Sequence, residues 1–444
     1  MKIKKICVIG LGYIGLPTAS TIAANGVQVT GVDVNPQVLA TLRRGDVHIQ
    51  EPGLREVVET ALQSGKLVVS EKPEEADAFI IAVPTPFYED RTGEYAGMKF
   101  KLADMRAVTS ATESIVPCLR KDNLVVLEST SPPRTTLDRV APILEQAGLK
   151  VGSDFHLVYS PERVLPGQIL RELIENARVV GGVDKASAEA GRDLYATFVR
   201  GEIVLTDATT AEMVKLMENT YRDVNIAIAN EFSRLAERFG VDVWEAIAIA
   251  NRHPRVGILQ PGPGVGGHCI SVDPWFLVEA APDLSPLIRI ARQVNDAQPQ
   301  FVVRLIQRAL SSVGISSLKG AGIALLGLSY KADVDDVRES PAIEAGRLLA
   351  AEGAIVKAYE PYNSGVQVPG LLVMPALEAA LEGVDVVALL VGHKPLRSLE
   401  PGRVAALTRA RLAVDAVNGW PEKSWEEAGF HLFRLGVTSD GSYN

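Results

Sequence analysis

The sequence predicts an α/β protein: two Rossmann-like doubly wound domains joined by a central α-helical domain with a long helix. Three observations carry this. Short β-branched runs alternate with helical patterns over the first ~190 residues, as βαβ units do. One long stretch then repeats apolar side chains at helical spacing, and a second alternation fills the last ~125 residues. The expected domains are residues 1–200, 201–312 and 313–444.

The first alternation comprises KKICVIG, VQVTGVDVN, AFIIAVPTP, NLVVLEST and HLVYSPE, which read as the strands of a parallel sheet. From about Thr210 to Phe239 the residues Val214, Met217, Tyr221, Val224, Ile228, Phe232, Leu235 and Phe239 recur every three or four positions. That spacing predicts the buried stripe of one helix, opened by a Thr209–Glu212 capping box and closed by Gly240. QPGPGVGGHC follows, and SSVGISSLKG reads as a linker, being small and polar. GIALLGLSY, AIVKAYEP, DVVALLVGH and RLAVDAV then give the strands of the second doubly wound domain. The repeat reads as architectural only, with no shared motif string.

At ~150 residues per domain, 444 residues make about three, each able to bury its own core. Subtracting 54 acidic from 45 basic side chains gives −9, without the basic excess that phosphate backbones require, so no nucleic-acid partner is expected. Apolar runs such as VVALLV fall far short of the ~20 residues of a membrane span, so no membrane partner is expected either. Cys7, Cys118 and Cys269 are too few and too scattered for a disulfide framework or a zinc site. They suit a reducing, cytoplasmic location, with no metal.

Gly10, Gly12 and Gly15 form GxGxxG immediately after the strand ICVI and before a helical pattern. The glycines allow a tight turn and close approach of backbone N–H groups to a pyrophosphate at a helix N-terminus. Asp33 ends the next strand, where a carboxylate accepts both ribose hydroxyls and favours NAD over NADP. This context displaces the signal-peptide reading that MKIKK followed by an apolar run would otherwise invite. Tyr95 and Lys99 match the Tyr-x-x-x-Lys pair of short-chain dehydrogenases. Gly93 and Gly97 bracket them in a polar loop, so chance explains the match.

Cys269 lies in GPGVGGHCISVDPWF, where four glycines among the six residues before His268 leave little to shield its sulfur. By composition alone a nucleophilic thiol and a small buried apolar side chain are even alternatives. His268 is adjacent, but neighbours on an extended chain point opposite ways. Lys215 and Asn219 share one helix face, as a solvated pair or as an ammonium and an amide able to stabilise an oxyanion. Glu162 follows a strand at the carboxyl edge of the first sheet, where it is either solvated or placed to activate water.

The assembled motifs resemble the nucleotide-sugar 6-dehydrogenases of the UDP-glucose and GDP-mannose dehydrogenase superfamily. The resemblance runs through GLGYIGLPTA, AVPTPF, LESTSP, SPERVLPGQ, TAEMVKLMENTYRDVNIAIANE, NRHPRVGILQPGPGVGGHCISVDPWF and GLSYKADVDDVRESPA. It implies NAD in the first domain, held by Gly10, Gly12, Tyr13, Ile14, Gly15, Asp33, Pro84, Thr85 and Thr130, with Arg338 delivered from the third. Cys269 is implied as nucleophile, Lys215 and Asn219 as oxyanion partners, Glu162 and Thr130 as the groups that handle water, and Asp273 as the active-site aspartate. Glu162, Arg163, Val164, Lys215, Asn219, Arg255, Gly266, His268 and Lys331 are implied to contact the sugar nucleotide. The segment around Cys269 departs from the UDP-glucose branch and resembles the N-acetylmannosamine enzymes, implying a UDP-hexosamine substrate. UDP-N-acetylglucosamine and UDP-glucose stay as alternatives. The resemblance further implies a homodimer built on the central domain, and a four-electron oxidation through a cysteine thiohemiacetal and thioester.

Overall fold

The computed structural model describes residues 3–267 and 269–438, and the chain divides into two compact units. One comprises residues up to 218 together with 275–285. The other comprises residues 219–274 and 286 onward.

In the first unit, β1 (Lys5–Ile9), β2 (Gln28–Val32), β3 (Leu67–Ser70) and β4 (Ala78–Ile81) alternate with helices. A hairpin of β5 (Phe87–Tyr95) and β6 (Met98–Ala103) leaves the sheet, which resumes with β7 (Leu124–Leu127), β8 (His156–Tyr159), β9 (Arg178–Gly182) and β10 (Ile203–Asp207). The order β10-β9-β8-β7-β4-β1-β2-β3 places the strand-order reversal between β1 and β4. The sheet is not wholly parallel as the sequence suggests, because β9 runs antiparallel to β8. It also extends to Asp207, past the boundary at 200. The β4 and β7 strands are buried throughout, so they read as unbroken apolar runs rather than alternating ones. Tyr95 and Lys99 lie on the β5–β6 hairpin instead of a loop, and no helix aligns them.

In the second unit, β11 (Gly322–Leu326), β12 (Ile355–Tyr359), β13 (Leu372–Val373), β14 (Val386–Leu389), β15 (Leu412–Asp415) and β16 (His431–Arg434) form a parallel sheet in the order β13-β12-β11-β14-β15-β16. The helix Gln298–Ser312, which the sequence places in the central domain, buries Val302, Val303, Leu305, Ile306, Ala309 and Leu310 in this sheet's core. The linker read at SSVGISSLKG is consequently packed, with Leu318 buried and Ile315 against the same core.

The long helix spans Ala208–Phe239. It ends before Gly240 at φ +67°, as expected, but two readings are corrected. The capping side chain is Asp207, which accepts from the Thr210 N–H at 2.9 Å. Glu212 instead accepts from the Thr136 N–H and Oγ1 (2.8 and 2.6 Å), capping a neighbouring helix from within the core. The apolar stripe is also inverted. Met217, Tyr221 and Phe239 are 57, 66 and 74% exposed, and Ile228, Phe232 and Leu235 are exposed too. The buried face carries Ala211, Glu212, Lys215, Thr220, Asp223, Ala227, Asn230, Ser233 and Ala236. Hydrogen bonds accompany the packing of Leu216, Ala227 and Ala229 on that side: Asn230 donates to Asn295 Oδ1 (2.9 Å), and Asn295 donates to Asp223 Oδ1 (2.8 Å).

Candidate active site

In the first unit the turn after β1 is closed by its glycines. Gly10 adopts φ +93°, and a Cβ there would fall 2.5 Å from the Ala82 carbonyl oxygen. At Gly15 a Cβ would lie 1.8 Å from the Gly10 carbonyl oxygen. Gly12 has nothing within 4 Å, so open space faces the N-terminus of the helix Gly15–Ala24. Asp33 accepts from the Leu11 N–H (2.9 Å) and the Asn35 N–H (2.8 Å), which fixes the carboxylate and leaves further lone pairs for ribose hydroxyls. These features fit NAD, with Gly10 to Gly15 cradling a pyrophosphate and Asp33 the adenosine ribose.

Across the strand-order reversal, Ser129 Oγ donates to the Val83 carbonyl (2.8 Å) and accepts the Val83 N–H (2.9 Å). It ties the segment of Pro84 and Thr85 to that of Thr130, bringing these expected contacts to one edge of the sheet. Glu162 lies beyond β8 on the same edge. Its Oε1 accepts from the Arg163 N–H (2.7 Å), and its Oε2 takes Arg178 Nη1 at 2.6 Å. Arg163 itself is engaged by Glu218 (2.7 Å) and the Ala177 carbonyl, while Val164 packs against the core. Lys215 is buried on the long helix, one turn before Asn219.

In the second unit Asn219 donates to Asp273 Oδ2 at 2.5 Å. The Asp273 and Val272 N–H groups donate to the Cys269 carbonyl (2.8 and 3.0 Å), so Cys269 sits in the turn that starts the helix Asp273–Ala280. Cys269 is exposed, whereas burial pushes the Cys7 thiol up to about 12 and raises that of Cys118. Gly266 and Gly267, just before Cys269, are required by close packing. A Cβ at Gly266 would lie 2.3 Å from the Glu339 carbonyl oxygen, and one at Gly267 (φ +84°) would lie 2.7 Å from the Tyr330 ring. The Gly267 N–H donates to the Arg338 carbonyl (3.2 Å), and Asn230 accepts the Gly262 N–H (2.9 Å). The thiol loop thus rests on the segment that follows β11.

That segment also borders a cavity of about 270 Å³ at the carboxyl ends of β11 and β14, where the second sheet reverses its order. Gln260, Gly264, Tyr330, Lys331, Gly392 and Arg397 are among its walls. Lys331 lines this cleft, while Arg338 pairs with Asp336 (2.6 Å) and Arg255 is exposed. His268 lies outside the described residues.

Sequence reasoning missed the buried partners. Arg178 pairs with Glu162 and is itself held by Glu128, Ser160 and Tyr195, and the signal was a cation at the head of the buried strand RVVGG. It also missed a recurrence: GLGY at Gly10–Tyr13 and GLSY at Gly327–Tyr330 follow the first strand of each sheet. Gly327 adopts φ +89°, and its N–H donates to Tyr359 as that of Gly10 does to Val32.

The two sheets with their glycine turns define a nucleotide-binding α/β protein that carries an exposed thiol, and comparison with known proteins gives its family. Residues 4–199 match the NAD-binding domain of the UDP-glucose/GDP-mannose dehydrogenase family, 209–297 its central domain and 324–422 its UDP-binding domain. A UDP-N-acetyl-D-mannosamine dehydrogenase of Methanocaldococcus jannaschii is 46% identical over 437 residues, covering 98% of this chain and 96% of its own. An NDP-N-acetyl-D-galactosaminuronic acid dehydrogenase of Ralstonia solanacearum is 45% identical, covering 95% and 97%. The structure of a UDP-D-ManNAc dehydrogenase from Pyrococcus horikoshii matches with a TM-score of 0.89 at 39% identity, covering 98% of this chain and 100% of its own. The chain belongs to the UDP-glucose/GDP-mannose dehydrogenase family. It is an oxidoreductase that uses NAD and acts on a UDP-sugar.

Proposed function

We propose that the protein oxidises the C6 alcohol of UDP-N-acetyl-D-mannosamine to the uronate, using two NAD per sugar. The observation that carries this is the near full-length match to relatives whose names specify an N-acetylhexosamine. A pocket built for the acetamido group leaves polar groups unpaired when UDP-glucose binds, which discriminates strongly. UDP-N-acetylglucosamine and UDP-glucose are the alternatives.

NAD supplies the hydride acceptor for each of the two oxidations. Asp33 and the turn Gly10–Gly15 hold it, with Tyr13, Ile14, Pro84, Thr85, Thr130 and Arg338 as further contacts. Cys269 as thiolate adds to the C6 aldehyde left by the first oxidation; the second leaves a thioester on its sulfur. Lys215 and Asn219 donate to the oxyanion of each tetrahedral species, and Asp273 fixes the Asn219 amide. Glu162, with Thr130, takes a proton from the water that opens the thioester. Lys331 contacts the nucleotide, and Arg163, Val164, Arg255, Gly266 and His268 complete the substrate contacts.

The domain division proposed is an NAD domain of residues 1–200, a central domain of 201–312 and a UDP-sugar domain of 313–444. The exposed face of Met217, Tyr221, Ile228, Phe232 and Leu235 supports a two-fold homodimer through the central region. A cytoplasmic location suits a thiol that must stay reduced. Among the described residues no helix is long and apolar enough to cross a membrane. Steady-state kinetics with UDP-N-acetylmannosamine, UDP-N-acetylglucosamine and UDP-glucose, read as NADH and uronate formed, test the substrate. Preference for either of the latter two overturns it. Light scattering tests the assembly, and a 47.6 kDa species at micromolar concentration rejects the dimer.

A further inference from the structure

We propose that Arg178 is the positioning residue of Glu162, and that Glu128 competes with Glu162 for the same guanidinium, so that its proton sets how firmly Glu162 is held. The inference rests on the reading of Glu162 as the group that activates water. Arg178 is buried at the start of β9, and its guanidinium is divided three ways. Nη1 reaches Glu162 Oε2 at 2.6 Å, Nη2 reaches Glu128 Oε1 at 2.5 Å, and Nε donates to Ser160 Oγ at 3.0 Å. The Tyr195 ring lies 3.9 Å beneath the cation, and its hydroxyl donates to Glu128 Oε1 at 2.7 Å. Tyr195 thus holds both the cation and the competing carboxylate.

Two buried carboxylates share one cation, an arrangement that leaves an uncompensated negative charge unless one of them takes a proton. Glu128 is the one that does. Its side chain has no exposure, and its Oε2 finds no hydrogen-bond partner among the described residues. Burial outweighs the pull of Arg178 and, with Glu162 adding repulsion, pushes Glu128 up to about 7. Below that pH Glu128 is neutral and Arg178 pairs mainly with Glu162. Above it the two carboxylates divide the cation, and Glu162 is held less firmly and is freer to turn to the water. In the step affected, a water oxygen bonds to the acyl carbon and the carbon–sulfur bond breaks with its electron pair on sulfur. A water proton passes to Glu162.

The test is rapid-mixing kinetics with UDP-N-acetylmannosamine and NAD, with intact-mass detection of the sugar adduct on Cys269. Arg178→Gln is expected to keep the first-turnover burst of NADH while steady turnover falls by ~10²-fold and the adduct accumulates, with Arg178→Lys recovering part of the loss. Glu128→Gln, which preserves shape should Arg178→Gln fail to fold, is expected to abolish the rise of the acid-forming rate between about pH 6 and 8. An equal fall of burst and turnover without adduct overturns the proposal, as does a wild-type pH profile in Glu128→Gln. Glu162→Gln separates the two levels: if it opens the thioester at the normal rate, the reading of Glu162 fails and the proposal with it. If it stalls while Arg178→Gln and Glu128→Gln do not, the proposal alone fails.

Discussion

The two doubly wound sheets begin with the same turn and use it differently. After β1, Gly10 and Leu11 turn the chain, and the Leu11 N–H is taken by Asp33 at the end of β2. After β11, Gly327 and Leu328 do the same, and the Leu328 N–H is taken at 2.7 Å by Glu360, just past the end of β12. The first carboxylate keeps capacity for a ligand. The second is saturated: Glu360 also accepts from the Ser329 N–H (2.9 Å) and from His393 Nε2 (3.1 Å), and both side chains are wholly buried. His393 Nδ1 in turn accepts the Asp333 N–H at 2.9 Å. In the first sheet a helix starts at Gly15, five residues after the turn glycine, and offers its N-terminus. In the second the helix starts at Pro341, and the intervening segment is pinned by Glu360 and His393 as the floor of the thiol loop. The acid after the second strand keeps lone pairs free in the first sheet and is a structural anchor in the second.

The largest effect expected from breaking this division of labour is at Cys269. Cys269→Ser should leave NAD binding intact while acid formation falls by ~10³-fold or more, because a serine hydroxyl stays protonated where a thiol of pKa ~8.5 ionises appreciably. Near wild-type uronate production, measured by NMR, rejects the covalent role. Next come the turn glycines. Gly327→Ala places a Cβ 2.5 Å from Val391 at a positive φ and should cost ~1–3 kcal/mol of stability. Gly12→Ala meets no protein atom, so melting should be unchanged while the KM for NAD rises ~10-fold or more. Equal melting losses in both variants would break the comparison.

Asp33 sets the third expectation. NADP should be disfavoured by ~10²-fold in kcat/KM, since its 2′-phosphate would face a carboxylate. Comparable efficiency with both cofactors would show that Asp33 does not meet the ribose. The smallest effect is at Glu360. Burial opposes its charge, but His393 and the Leu328 and Tyr362 N–H groups outweigh that and hold the carboxyl below its ordinary 4.5. A lowered folded-state value stabilises the fold above about pH 4.5 and is lost as pH falls through it. Wild-type melting temperature should therefore drop on acidification below pH 4.5 by more than that of Glu360→Gln. Parallel curves would show that Glu360 is not ionised in the fold.

Much of the fold was legible because its signals are local. The runs ICVI, AFII, LVVL and VVAL are strands, GxGxxG lies at a sheet edge, and Cys269, read as poorly shielded by its glycines, is exposed. The Glu360–His393 anchor was not legible, because 33 residues separate two side chains that only the second sheet's closure brings together. The same holds for Arg178, which lies 50 residues from Glu128.

Sequence alone determined the two alternating sheets, the NAD-type turn with its acid, and the glycine-rich loop around Cys269, since each depends on φ/ψ freedom and side-chain period over a few residues; the exposure of the thiol came from the structure. Tertiary structure decided which way the long helix faces. Its period of three to four is plain in the sequence, but a period specifies a stripe and not what the stripe meets. Asp223, Asn230 and Asn295 bond to one another in the interior and Arg292 pairs with Asp223, so the small polar face is buried and the apolar face of Met217, Tyr221 and Phe232 turns outward. Burial is settled by what lies opposite, and that is supplied by chain distant in sequence.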